Sequence, residues 1–287
     1  MNMTKLILIL LTATLCTTGC KQYSSAETGY TLSSETIKGN GKYVTKKIDV
    51  DKFSGIALTG SFSVKYVQKK GEPSVDVYGE SNIVDHLDIH TENSTLYLSL
   101  KNGNYSFDRL EVRVSSPTAD CFSLTGSGDI IMSGNLKTRQ LSLLLTGSGD
   151  IKFNRIDCEN LNVKCTGSGD INVQKMNCVK LFTTLTGSGD IRISNIDCND
   201  VNAALNGSGD LLLSGEASKA SYNLHGSGDI DAQNLTTDKS TATVGGSGDI
   251  KCNAETLLKA RTTGSGSIRY KGNPKVDKGK DDDVSRL

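Results

Sequence analysis

The tripeptide Gly-Ser-Gly occurs eight times between residues 126 and 266, and its spacing constrains the fold more than any other feature of the chain. The first glycines of the copies, Gly126, Gly147, Gly167, Gly187, Gly207, Gly226, Gly246 and Gly264, stand 21, 20, 20, 20, 19, 20 and 18 residues apart. Seven copies continue into Asp and then Ile or Leu, and the eighth reads GSGSI. A fixed period of about 20 residues marks a repeat architecture, in which each unit buries its apolar side against the next. Apolar residues alternate within each period. Leu141, Leu143 and Leu145 precede one corner, and Leu161, Val163 and Cys165 precede the next. Ile151 and Phe153, Ile171 and Val173, Ile191 and Ile193, and Leu211 and Leu213 follow their corners. Alternation of period two means short strands with one face buried. Such a period holds two or three strands and their corners, with no room for a useful helix. A propeller blade needs roughly twice the length, and a leucine-rich repeat carries L-x-x-L-x-L. The expected fold is all-β, a right-handed parallel β-helix (β-solenoid) with about 20 residues per coil. Residues 46–270 would make roughly eleven coils and a rod about 50 Å long at the ~4.8 Å spacing of paired strands. The stretch 46–119 is expected to be less regular than 120–270.

The paired glycines are Gly126 and Gly128, Gly147 and Gly149, Gly167 and Gly169, Gly187 and Gly189, Gly207 and Gly209, Gly226 and Gly228, and Gly246 and Gly248. They read as a repeated corner, with positive φ at both positions. The Asp that follows, at 129, 150, 170, 190, 210, 229 and 249, faces outward if the next residue faces in. Stacked carboxylates about 4.8 Å apart repel by about 0.9 kcal/mol in bulk water. Lys152, Arg192 and Lys251, two residues after Asp150, Asp190 and Asp249, can offset this, as can amides of each residue's own corner. The sharper alternative is a calcium column through Asp150, Asp170, Asp190 and Asp210. One Asp per twenty residues, with no G-G-x-G-x-D order, does not match the calcium-binding nonapeptide repeat.

Chemistry beyond the corner is sparse. Cys158, Cys178 and Cys198 share a column, and Cys165 and Cys252 take inward positions, which suits small buried hydrophobes. No C-x-x-C pair suggests zinc. His86 and His90 have i, i+4 spacing without the glutamate of H-E-x-x-H, and read as residues of a strand or its approach; His225 replaces the Thr before a corner. Catalysis needs a constellation of unlike groups, whereas the ladder offers one group everywhere. A non-enzyme without cofactor is therefore expected, with a polysaccharide-active enzyme as the weaker alternative. Lys and Arg total 32 against 32 Asp and Glu, which argues against a nucleic-acid partner.

The N-terminus, MNMTKLILILLTATLCTTGCKQ, has Lys5 ahead of an apolar run from Leu6 to Leu15, too short to span a bilayer. It resembles a bacterial lipoprotein signal, with Thr17-Thr18-Gly19-Cys20 at the lipobox and Thr17 where Leu is usual. Residues 1–19 then form the signal peptide, Cys20 the lipid anchor, 20–45 a flexible tether and 271–287 a charged tail. The expected location is the cell envelope, anchored to the outer membrane on its periplasmic side or at the cell surface.

The series KKIDVDKFSGIALTGSFSV, G-x-x-P-S-V, N-x-x-D and STLYL within 46–100 continues into EVRVSSPTADCFSLTGSGDI and ends with GSGSIRYKGNPKV. Over about 46–276 it resembles the family known as putative auto-transporter adhesin, head GIN domain, common among Bacteroidota lipoproteins. The resemblance implies a parallel β-helix on the envelope and brings no catalytic residues. The functional expectation is a binding or adhesion module for a glycan or protein, or a structural envelope-stress protein without external ligand.

Overall fold

The computed structural model describes residues 35–280 and 282–287. The chain is nearly all strand, with a β-solenoid of about eight turns of roughly 20 residues. Two inward columns define its axis. One runs Leu98, Leu58, Leu124, Leu145, Cys165, Leu185, Leu205, Leu224 and Val244 in parallel register. The other runs Val112, Val64, Ile130, Ile151, Ile171, Ile191, Leu211, Ile230, Ile250, Ile268 and Val284. These residues belong to one continuous core. Near its N-terminal end the rings of Tyr66, Phe122 and Phe153 meet edge to face, with centroids 5.0 Å apart at each contact, a favoured aromatic geometry.

Eight turns replace the eleven expected because the chain before Cys121 does not climb steadily. Strand Thr95–Leu100 lies beyond Gly55–Gly60, and Gly55–Gly60 pairs directly with Cys121–Gly126. The residues between build a closure of antiparallel strands. Ser74–Glu80 pairs with both Leu110–Ser116 and Tyr43–Ile48, and Leu87–Glu92 pairs with Thr95–Leu100. A one-turn helix, Ser81–Val84, tucks Ile83 and Val84 under this end. The solenoid thus begins with a ninth, degenerate corner at Gly60-Ser61-Phe62-Ser63, in register with Gly126 and Asp129.

Both flanks depart from expectation. The tether does not run free to 45, because Thr36–Lys38 pairs with Asn104–Ser106 and Tyr43–Ile48 joins the antiparallel closure. The buried carboxylate of Glu80 accepts the amides of Gly41 at 2.8 Å and Asp108 at 3.2 Å, fastening this strap to the body. Within the expected tail, Lys275–Lys278 pairs with Leu257–Ala260, and Val284–Arg286 pairs with Ile268–Tyr270. The carbonyl of Asp283 accepts the amide of Ile268, as the carbonyl of each repeat Asp does one turn earlier. The signal peptide, Cys16 and Cys20 lie outside the described residues.

From residue 171 onward each turn is a nearly unbroken strand, interrupted only at Gly-Ser-Gly: Ile171–Gly187, Ile191–Leu205, Leu211–Leu224, Ile230–Val244 and Ile250–Thr262. The 19-residue turn ending at Gly226 omits one residue where Gly215 faces Ile196. Gly215 absorbs the slip with φ +130° and its bare Cα against the Ile196 backbone.

Candidate functional site

From Gly60 to Gly226 the carbonyl of the first glycine of each corner accepts two amides from the corner above, and that of Gly246 accepts one, from Gly266. Ser148 and Gly149 donate to Gly126 at 2.9 and 3.1 Å, and Ser188 and Gly189 donate to Gly167 at 2.8 and 3.2 Å. This pairing brings the corners so close that a Cβ on either glycine would sit far inside contact distance of the carbonyl below. Among the corner glycines positive φ is confined to Gly126, Gly147, Gly167 and Gly187, at 119° to 142°, besides Gly60. The expectation of positive φ at both positions is therefore corrected. The second glycine is required by close approach alone, and the later copies keep their first glycine for the same reason.

The Asp column obeys the same logic. Oδ1 of Asp129 accepts the backbone N–H of Asp150 at 3.1 Å, and the pattern continues from Asp150 to Asp170, Asp170 to Asp190, Asp190 to Asp210, Asp210 to Asp229 and Asp229 to Asp249, at 2.8 to 3.2 Å. The last rung, Asp249, takes both the amide and the hydroxyl of Ser267. The amide comes from the next turn and not from the residue's own corner, as the sequence had suggested. Each carboxylate stands in for a strand carbonyl where the corner interrupts the ladder. Oδ2 of Asp150 meets Lys152 at 2.8 Å and that of Asp190 approaches Arg192 at 3.9 Å. Asp249 pairs with Arg269 of the next turn at 2.9 Å, where Lys251 was expected. Burial alone would raise the Asp249 carboxyl, but the Ser267 amide and hydroxyl and the Arg269 charge bring it below the usual range. Calcium takes six to eight oxygens, roughly, and among the described residues no three His, Cys, Asp or Glu side chains converge in a metal-sized cluster.

The cysteine column is in register, Cys178 opposite Cys198 with their sulfurs 2.9 Å apart. Cys158 and Cys178 are only half-buried and Cys198 is buried. Burial pushes the Cys158 thiol up to about 12, Cys165 to about 11 and Cys252 to about 12. The hydrogen bond to Cys198, with burial, likewise keeps Cys178 protonated. Raised thiols of this kind are poor nucleophiles and poor metal ligands. His86 follows the short helix and its Nδ1 lies 2.7 Å from the carbonyl of Asn82. His90 lies in the next strand, stacked on Tyr97 and 3.0 Å from Asp88. His90 is on the strand Leu87–Glu92 and His86 in the turn that leads into it, the strand and approach on which the sequence placed them.

Sequence reasoning missed the most heavily paired carboxylate. Glu111, on the closing strand, is buried with its side chain 5% exposed, and it receives Lys65 at 2.7 Å, Arg113 at 2.7 Å and Arg109 at 3.2 Å. Burial would raise this carboxyl, but the hydrogen bonds from Lys65, Arg113 and Arg109 outweigh it and hold it at about 2. The alternation in Glu111-Val112-Arg113-Val114 signals that Glu111 and Arg113 share a strand face.

A parallel β-solenoid with glycine corners and a column of Asp rungs, closed at one end by antiparallel strands, is a repeat-built scaffold. The chain belongs to the family described as putative auto-transporter adhesin, head GIN domain, whose model matches residues 52–177 and again 173–274. No curated protein matches the chain. Among solved structures it is similar to a putative lipid binding protein from Parabacteroides distasonis, 25% identical, covering 88% of this chain and all of that one, with a TM-score of 0.68. A putative adhesin from Bacteroides fragilis is 27% identical over 87% of this chain and 95% of that one, at 0.54. A putative adhesin from Parabacteroides merdae shares the fold at 0.70, with 20% identity over 88% of this chain and all of that one. The family is described as an adhesin and not as an enzyme.

Proposed function

We propose that the protein is a non-catalytic, lipid-anchored binding and adhesion module of the bacterial cell envelope. The observation that carries this reading is family membership, since two successive matches to an adhesin head together cover nearly the whole solenoid. The surface chemistry agrees with it. The corner serines, such as Ser148, Ser168 and Ser188, point outward in an exposed row. The carboxylates beside them have one oxygen engaged in holding the turns together, so the repeated motif acts as scaffold and the ligand is met by the strand faces between corners. Among the described residues no helix is long and apolar enough to cross a membrane, and attachment in this reading falls to acylated Cys20. The strap at 36–48 enters the body beside the antiparallel closure, so the anchor would hold that end toward the outer membrane and present the later turns outward.

Two measurements test this. Cys20→Ser is expected to move the protein from the detergent phase to the aqueous phase, because losing several acyl chains abolishes stable anchoring; unchanged partitioning would refute the anchor. Protease treatment of intact cells is expected to remove the solenoid. Full protection would instead favour a structural envelope protein with no external ligand.

A further inference from the structure

We infer that one face of the solenoid binds an acidic polysaccharide, which names the ligand class for the adhesion reading on which it rests. Two outward rows run side by side across five consecutive turns. The first is Lys180, Asp200, Lys219, Lys239 and Leu257 in parallel register, and the second is Phe182, Asn202, Ser221, Thr241 and Lys259. The residues between them, Leu181, Val201, Ala220, Ser240 and Leu258, point into the core, so alternation sends both rows to solvent. Over the middle turns the face is concave, a hollow of about 330 Å³ walled by Asp200, Lys219, Lys239 and Lys259 and floored by the strands at Ala220 and Ser240.

Three features of this face point to the same ligand. The first is charge. Lys180, Lys219, Lys239 and Lys259 are exposed, and none makes an ion pair with a described residue, so their charges are free to meet a ligand, unlike those of Arg139, Arg155 and Arg261, which are taken by Glu159, Asp157 and Asp277. A chain of zero net charge thus concentrates four lysines around one carboxylate, a local field that attracts an anion without making the whole surface basic. The second is an aromatic platform. Phe182 is 46% exposed at the head of the second row, where its ring face can carry the C–H face of a sugar. The third is the row of Asn202, Ser221 and Thr241, which supplies both donors and acceptors for sugar hydroxyls.

The periodicity is also that of a polymer. Successive rungs lie about 4.8 Å apart, of the same order as the advance of one sugar in an extended chain, so uronate or sulfate groups on neighbouring sugars can meet Lys219 and Lys239, which stand on adjacent rungs. A membrane surface would call for a broad convex basic face. Nucleic acid would call for a basic surplus over the domain. A hollow of this size on a chain of zero net charge fits neither.

The test uses the full chain in detergent, with immobilised polygalacturonate, dextran sulfate, neutral dextran and polyadenylate as probes. The two acidic polysaccharides should retain the protein in a salt-sensitive manner, while dextran and polyadenylate should not. Lys219→Gln with Lys239→Gln should weaken retention by about tenfold or more, the scale of losing one to two charge-assisted contacts, and Phe182→Ser by several-fold, with melting temperatures unchanged. Free glycerol 3-phosphate, a lipid headgroup analogue, should not compete at concentrations where soluble polygalacturonate does. The inference falls if neither acidic polysaccharide retains the wild type, if the lysine variant is retained equally, or if polyadenylate or glycerol 3-phosphate performs as well. Cell adherence separates this failure from failure of the adhesion reading. If cells carrying wild-type and lysine-variant protein adhere equally, adhesion stands and the site falls. If neither adheres and the protein is shielded from protease, adhesion itself falls.

Discussion

Gly187→Val should destabilise the solenoid by about 4 kcal/mol, while Asp190→Asn, three residues on, should change stability by no more than about 1 kcal/mol. Two effects add at Gly187. Its φ of 142° lies in the region reserved for glycine, and holding a β-branched residue there costs about 1–3 kcal/mol. Its Cα also faces the carbonyl of Gly167 with no room for a side chain, and overpacking costs about 1–3 kcal/mol more. The neighbouring corners cannot move aside, because Gly167 accepts from Ser188 and Gly189, and Gly187 in turn accepts from Ser208 and Gly209. Asn at 190 still presents an oxygen to the amide of Asp210, now at 2.9 Å from Asp190. It forfeits the loose pairing with Arg192 at 3.9 Å, an exposed contact of about 0–1 kcal/mol, and relieves repulsion from Asp170 and Asp210. Thermal melting reads both variants, with the Val change lowering the midpoint by roughly 10 °C for a chain of this size. A chelator should leave the wild-type midpoint unmoved. A lower midpoint in chelator, with Asp190→Asn the costlier variant, would show that a cation and not the corner holds the column.

Glu111→Gln is the second large effect, about 3 kcal/mol at neutral pH. The side chain is shut off from water while Lys65, Arg109 and Arg113 remain about half exposed at 47%, 55% and 62%. Neutralising the carboxylate leaves three cations around an amide that offers one acceptor and turns its NH2 toward them. Because the cations can still reach water, the cost sits at the low end for breaking a buried pair. The pH dependence has a definite sign. The folded-state carboxyl titrates at about 2, below its ordinary 4.5, so its stabilisation is fully present above the ordinary value and is lost as pH falls through that window. The wild type should therefore lose stability between about pH 4.5 and 2, and the Gln variant should lose less there, the two curves converging in acid. Parallel curves across that window would mean that Glu111 contributes nothing specific.

Period and alternation were enough to place the corners from 126 to 250 and the inward columns beside them, because every turn there repeats the same local rule. The copy at 60–63 escaped notice for a physical reason. The strand beneath it, Thr95–Leu100, is not followed by a stacked corner, so Phe62 has room for a side chain where later copies must have glycine. Nor could the sequence tell which amide each Asp would accept, since that depends on how closely successive turns approach. At the other end Asp283-Val284 takes the place of the Asp-Ile pair without its glycines, and so looked like a charged tail. The Glu111 cluster draws Lys65 from a strand 46 positions away in the chain, brought alongside by the pairing of Ser63–Gln68 with Leu110–Ser116. Alternation reveals a shared face within one strand but not the neighbour that pairing supplies.

The Asp-to-amide link joins each turn only to the one above it, and this makes length a heritable variable. A duplicated segment of about 20 residues would enter with its own donor, acceptor and glycine corner, and would ask nothing of the turns beyond its immediate neighbours. The same sameness removes any internal address, since a turn can recognise the repeat but not its ordinal place. Order along the rod must then be counted from the antiparallel end, where Glu80 and Glu111 hold contacts that no other rung can imitate. A lineage can lengthen or shorten such a rod by recombination while its starting mark stays untouched.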